Sequence, residues 1–467
     1  MSSEFDFMSA GELRRRIAGK EISPVEVTRR ALDKAEAEQE RLNAFAQLVP
    51  EAALAAARAA EDAVVRGESL GLLHGLPLSV KDLTAAKGLR FEFGSRTMAG
   101  NVAAADAPAV ERAKAAGAIV IGKTTTSEFG CKPVGDSPLT GITRNPWNPG
   151  KTPGGSSAGA TASVAAGITP FALGTDGGGS IRIPCSFTGL AGLKGQFGRV
   201  PVWPVAATPT LAHVGPIART VADAALLFAA IAGHDPRDPG AVAGPVPDVL
   251  GACRAGVKGL RIAYSPTFGY ARPDADVMRV VGAAAATFET LGCSVEQVEH
   301  VFDDPGELWT SEFYAGIGTR LRDVVERTPE LLDPAVAEIL TAALAQDLRG
   351  YYEKVFARYA FRERVRTLFE TYDLLLSPVL PVASLDVGLN RPAHHGAGNP
   401  LTWVAYTYPF NLTGQPAATV CAGFGDDGMP VGLQIAGRAF GEYDVVRAAA
   451  AFEQTQSAGY NTIVYRR

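Results

Sequence analysis

The chain contains no uninterrupted apolar run long enough to cross a bilayer. Its longest, AALLFAAIAG from Ala224 to Gly233, is about half of the roughly 20 residues that a spanning helix needs. The start, MSSEFDFMSAGELRRR, has no basic segment followed by an apolar one, so no secretory leader is read there. Cysteine is scarce. The five residues, Cys131, Cys185, Cys253, Cys293 and Cys421, are odd in number and lack CxxC spacing. That argues against a disulfide scaffold and reads as small buried hydrophobes in a reducing compartment, so a cytoplasmic protein is expected. Only six histidines are present, and no group of His, Cys, Asp and Glu has metal-ligand spacing, so a zinc-dependent reaction is not expected. Charge of neither sign dominates: 44 Lys and Arg stand against 49 Asp and Glu, a net charge of −5. Neither nucleic acid nor an anionic membrane is an expected partner.

What remains is a globular chain of 467 residues with 47% hydrophobic content, enough for a large core. Helix starts are legible early. Ser9 with Glu12 forms a capping-box pair, and Ser23-Pro24-x-Glu26 adds proline at the first helical position. An Ala-rich helix is expected near 51–66. GLPLSV then reads as a strand, DAPAVERAKAAG as a helix with a glycine stop, AIVIGK as a strand, SSAGATASVAAG as a helix of very small residues, and PFALGT as a buried strand. GLRIAYSP, PDADVMRVVGAAAATFETLG and CSVEQVEH form a parallel strand–helix–strand unit. Residues 303 to about 372 are charged and helical. DLLLSPVLPV resumes a strand, RPAHHGAGNP is a loop, and PVGLQIAG with GEYDVVRAAAAFEQ closes the core. No repeat or polar linker separates these parts, so one α/β domain over 1–467 is expected.

Between Gly154 and Pro184 the chain reads GGSSAGATASVAAGITPFALGTDGGGSIRIP. Ser156 and Ser180 each follow a glycine run, and Lys81 ends the apolar run LHGLPLSVKD. Serine hydroxyls in glycine turns plus a strand-end lysine are the parts of an acyl-transfer site that needs no histidine. A hydroxyl is a poor nucleophile until a base takes its proton, and a lysine serves as that base only if burial keeps it neutral. Glycine also lets a backbone approach a ligand closely, so N–H groups of Gly177, Gly178 and Gly179 are expected to face a developing oxyanion.

GGSSAG, GTD-x-GGSIR-x-P and the VKD lysine together resemble the amidase signature family. KEISPVEVTRRAL, LNAF, AGAIVIGKTTTSEFG, GLAGLKGQFGRV, HVGPIARTVADAALL and DGMPVGLQIAG extend the resemblance over most of the chain. It implies an α/β fold with a central mixed β-sheet flanked by helices on both faces. The signature core would span about 70–220, and a variable helical region at about 303–400 would cover the site. It implies an amide hydrolase with Ser180 as nucleophile, Ser156 as a bridging serine after a cis peptide bond, and neutral Lys81 as base. No cofactor is required. Asp176, Arg182 and Ser157 are expected to support the glycine turn. The alternative within the family is the A subunit of the tRNA-dependent amidotransferase, a glutaminase working in a complex.

Two other motifs match by letter. Gly117-AIVI-Gly122-Lys123-Thr124 satisfies GxxxxGK[ST], but its middle has the look of a buried strand rather than a phosphate loop. Gly155-Ser156-Ser157-Ala158-Gly159 satisfies GxSxG, which would make Ser157 the nucleophile of an α/β-hydrolase esterase with a downstream histidine. His213, His234, His300, His394 and His395 are available but read as surface or packing residues. Substrate contacts are expected from Phe129, Trp309, Trp403 and Tyr406, whose aromatic character hints at an aryl or apolar amide, with carbamates and esters left open. A homodimer is expected only because symmetric pairs are common.

Overall fold

Small side chains set the spacing at the centre of the molecule. A computed structural model of the chain describes residues 5–395 and 402–456. In it the helix Ala158–Ala165 carries nothing larger than valine, and all of its residues are buried. A Cβ added at Gly159 would stand 2.1 Å from the Ala44 carbonyl oxygen and 2.4 Å from Thr125 Oγ1. This helix packs against the strands that carry the signature residues.

Those strands belong to one continuous sheet of eleven. In spatial order they are Phe45–Leu48, Ile119–Thr124, Pro77–Lys81, Phe171–Asp176, His213–Ala218, Ala191–Lys194, Ala417–Phe424, Pro430–Gly437, Leu374–Pro378, Arg261–Tyr264 and Ser294–Gln297. Pro77–Lys81 runs parallel to both neighbours, and Phe171–Asp176 runs antiparallel to His213–Ala218. The sheet is mixed, as the resemblance implied, and the fold is a single-domain α/β architecture. Cover on both faces explains why PLSVK and PVGLQIAG are buried at every position. Ile119–Thr124 is itself a strand, so the P-loop reading has no loop to stand on.

The helices Gly306–Arg320, Arg322–Arg327, Pro334–Leu344 and Leu348–Thr371 fill the expected helical region. They pack around a second core containing Trp309, Phe313, Tyr406, Tyr408 and Phe410, distinct from the one formed by Leu78, Val80, Phe171 and Leu173. Within RPAHHGAGNP, Ala393–His395 forms a short 3-10 turn, and residues 396–400 lie outside the described residues. Among the described residues no helix is long and apolar enough to cross a membrane.

Gly159→Val should cost at least about 2 kcal/mol, because the neighbouring backbone carbonyl cannot yield as a flexible side chain would. A lower urea midpoint at unchanged slope would report it, and an unaltered midpoint would contradict this account of the central spacing.

Candidate active site

Lys81 is the last residue of its strand and is completely buried. Its Nζ lies 2.7 Å from Ser156 Oγ, 2.9 Å from Ser157 Oγ and 2.8 Å from Thr175 Oγ1. All three neighbours are hydroxyls. Burial without a counter-ion holds the amine well below its ordinary value of 10.5, with Asp176 opposing from a distance. Lys132 shows the contrast. It is buried too, but ion pairs with Asp136 and Asp333 at 2.5 and 2.7 Å carry it above the usual lysine range against burial.

In the neutral form the amine would have two N–H donors and one lone pair, and one of the three hydroxyls would then donate to it. Ser157 Oγ lies 3.2 Å from the Thr175 carbonyl and donates there. In that form the single lone pair would accept from either Ser156 or Thr175. The Gly155–Ser156 peptide is cis.

Ser180 follows the strand Phe171–Asp176 and the glycine run. Crowding dictates these glycines. A Cβ at Gly178 would stand 2.4 Å from the Trp309 ring, one at Gly177 2.8 Å from Phe313, and one at Gly179 2.3 Å from Thr407 Oγ1. Gly179 also has φ of +132°, which favours glycine. Its N–H donates to Asp176 Oδ1 at 2.7 Å, which corrects one expectation: this group is engaged within the turn. The N–H groups of Gly177, Gly178 and Ser180 have no such bond among the described residues. Ser156 and Ser180 open into the same cavity, and the hydrogen-bond path runs from Lys81 as far as Ser156.

Asp176 and Arg182 form a buried pair, with Arg182 Nε 3.0 Å and Nη2 2.9 Å from the carboxylate oxygens. The remaining guanidinium protons reach Thr407 O, Gln434 Oε1 and Asn411 Oδ1 at 2.7–2.8 Å, so all five donors are satisfied. Burial alone would raise the Asp176 carboxyl, but the Arg182 charge and hydrogen bonds hold it well below the usual carboxylate range.

The cavity holds about 360 Å³. Phe129 lines it, together with Leu83, Phe91, Phe93, Met98 and Phe313. Three expected contacts do not. Trp309 instead donates from Nε1 to the Gly177 carbonyl at 2.9 Å, Trp403 to Asn390 O at 3.0 Å, and Tyr406 to Pro266 O at 2.6 Å. They are packing residues of the second core. Ser157 is fully buried and off the cavity. His213, read as surface or packing, lines the wall, with Nδ1 2.8 Å from Leu211 O and Nε2 3.4 Å from Lys194 Nζ. The loop 201–208 supplies another wall that sequence reading missed. Its one visible signal was an apolar VWPV in a proline-rich turn. Asp274, His394 and His395 place ligand atoms within 4.8 Å of one another, away from the cavity. Their separation in sequence hides that grouping from spacing rules.

The family model described as Amidase matches residues 26–446. The chain belongs to the amidase family. Over 96% of its length this amidase is 38% identical to an acylamidase of Rhodococcus erythropolis, covering 95% of that protein. It is also 37% identical to the A subunit of the glutamyl-tRNA(Gln) amidotransferase of Moorella thermoacetica, over 97% of each chain. The crystal structure of a bacterial aryl acylamidase of the amidase signature family superposes with a TM-score of 0.93 at 30% identity, covering 100% of both chains. Family membership removes the α/β-hydrolase reading that rested on Ser157.

Arg182→Ala should destabilise this amidase by about 3–5 kcal/mol, since it strands a buried carboxylate. Chemical denaturation would measure it. A loss below about 1 kcal/mol would mean that Asp176 finds another partner or does not need one.

Proposed function

We propose that the chain hydrolyses carboxylic amides bearing an apolar or aryl group, through an acyl-enzyme on Ser180. The observation that carries this reading is the uncharged, hydroxyl-lined environment of Lys81 beside Ser156. Neutral Lys81 takes the Ser156 proton as Ser156 takes that of Ser180. The Ser180 oxygen then attacks the amide carbon, and the carbonyl π electrons move onto its oxygen. N–H groups of Gly177, Gly178 and Ser180 are the donors available to that oxyanion, each worth about 3–4 kcal/mol where such donors have been removed. Collapse breaks the C–N bond, and the departing amine takes a proton from Ser156, which recovers it from the Lys81 ammonium. Water repeats the relay to release the acid. The hydroxyl contact between Ser156 and Ser180 would tighten on substrate binding, as catalytic hydrogen bonds commonly do. These steps use no cofactor or metal.

The amidotransferase relatives raise the glutaminase alternative. Glutamine presents a charged amino-acid head, whereas Phe93, Met98, Phe129 and Phe313 offer it apolar wall. That favours a stand-alone acylamidase over a component dependent on partner proteins. Turnover of anilides by the purified chain alone, with no hydrolysis of glutamine, is the expected result; the opposite pattern would establish the alternative.

Ser180→Ala should lower kcat by on the order of 10⁵-fold or more, and a fluorophosphonate should attach to Ser180. An adduct on Ser157 or substantial residual turnover would reject Ser180 as nucleophile. Protonating Lys81 removes the base, so kcat/KM should rise with pH through a limb lying below the ordinary lysine value of 10.5. A limb at or above that value would reject a neutral Lys81.

A further inference from the structure

The helix Gly306–Arg320 runs from the nucleophile turn to the cavity mouth. Trp309 bonds the Gly177 carbonyl, and Phe313 lies against Gly177 so closely that a Cβ there would be 2.8 Å from its ring. Phe313, Ile317 and Arg320 then line the cavity in turn. Their spacing, i, i+4 and i+7, keeps them on one helical face. At 1.5 Å per residue, Arg320 stands about 10 Å beyond Phe313 along the axis.

Arg320 is exposed and has no ion pair or side-chain hydrogen bond among the described residues. Several other arginines of the helical region are committed: Arg322 pairs with Glu326, Arg349 with Glu353, Arg358 with Glu312 and Arg364 with Asp303. The other formal charge lining the cavity, Asp176, is consumed by Arg182. A cation in the last turn also suits the helix dipole, but the dipole does not require it to face the cavity. An apolar passage with reacting serines at one end and one uncommitted guanidinium at the other selects for both features in one ligand.

We propose that Arg320 forms an anion-binding subsite, and that the preferred substrate is an amide whose apolar portion ends in a carboxylate roughly 10 Å or more from the scissile carbonyl. This rests on the amide-hydrolase reading of the same site. The bound anion replaces the missing carboxylate partner of Arg320, while the intervening aryl or methylene segment covers Phe313 and Ile317.

The test compares anilides in matched pairs, one ending in a carboxylate and one in a methyl group. Chain length is varied on the acyl side in one series and on the amine side in the other. In the wild-type chain the acid should exceed its methyl partner in kcat/KM by about three- to ten-fold over a window of lengths, mostly through KM, because an exposed ion pair contributes only modestly. The preference should shrink with added salt, vanish in Arg320→Ala, and invert toward terminal ammonium in Arg320→Glu. The quantity compared is the acid-to-methyl ratio within each protein, so a general loss of activity in a variant cancels. Equal ratios in the wild-type chain and Arg320→Ala at every length, on both sides, would overturn the subsite while leaving amide hydrolysis intact. Failure of the wild-type chain to cleave any member would overturn the hydrolase reading itself.

Discussion

A lysine amine held in the interior with no carboxylate beside it is the constraint around which this molecule is arranged. An unpaired ammonium there is costly, and burial holds the group well below the ordinary lysine value. The fold could have supplied a counter-ion, and elsewhere it does. Lys123, on the adjacent strand, lies 3.4 Å from Asp82 and is lowered only to about 8. Near Lys81 the available carboxylate is Asp176, and Arg182 ties both of its oxygens down. The five-fold bonding of that arginine thus keeps Asp176 from turning toward the amine. What looks like a stabilising ion pair also keeps a carboxylate away from the amine of a different residue.

Crowding is the second constraint. The glycine run before Ser180 meets Trp309, Phe313 and Thr407, all from the helical side of the molecule. Thr407 Oγ1 donates to the Gly178 carbonyl at 2.6 Å, and Trp309 to that of Gly177. With these carbonyls held from outside and the Gly179 N–H held by Asp176, the peptide planes of the turn are fixed. Side chains at 177 or 178 would push the two cores apart.

Much of this was legible in advance, for identifiable reasons. Lys81, Ser156 and Ser180 sit in short stretches where glycine, small residues and a strand end have few other uses. Central strands such as PFALGT and PVGLQIAG announce themselves as apolar runs because both of their faces are covered. Strands such as AGLK, only four residues long, and HVGPIA, broken by glycine and proline, do not, yet both are paired on either side in the sheet. The cavity wall was the hardest part to foresee. Trp309, Trp403 and Tyr406 are aromatic and near the site, but each turns its polar atom to a backbone carbonyl and fills the core. The lining comes from Leu83, Phe93, Met98 and the 201–208 loop, which approach one another only in three dimensions. The grouping of Asp274 with His394 and His395 was invisible for the same reason.

The separation of the two cores has an evolutionary corollary. Lys81 ends a strand of one, and Ser156 and Ser180 lie in turns beside its strands, whereas one wall of the cavity hangs on a helix of the other. Exchanges at Ile317 or Arg320, both farther along the helix from the glycine turn than Phe313, can therefore reshape that wall while Lys81, Ser156 and Ser180 stay in place. A scaffold divided in this way can diversify its diet by drift on a single helix, its chemical engine left untouched.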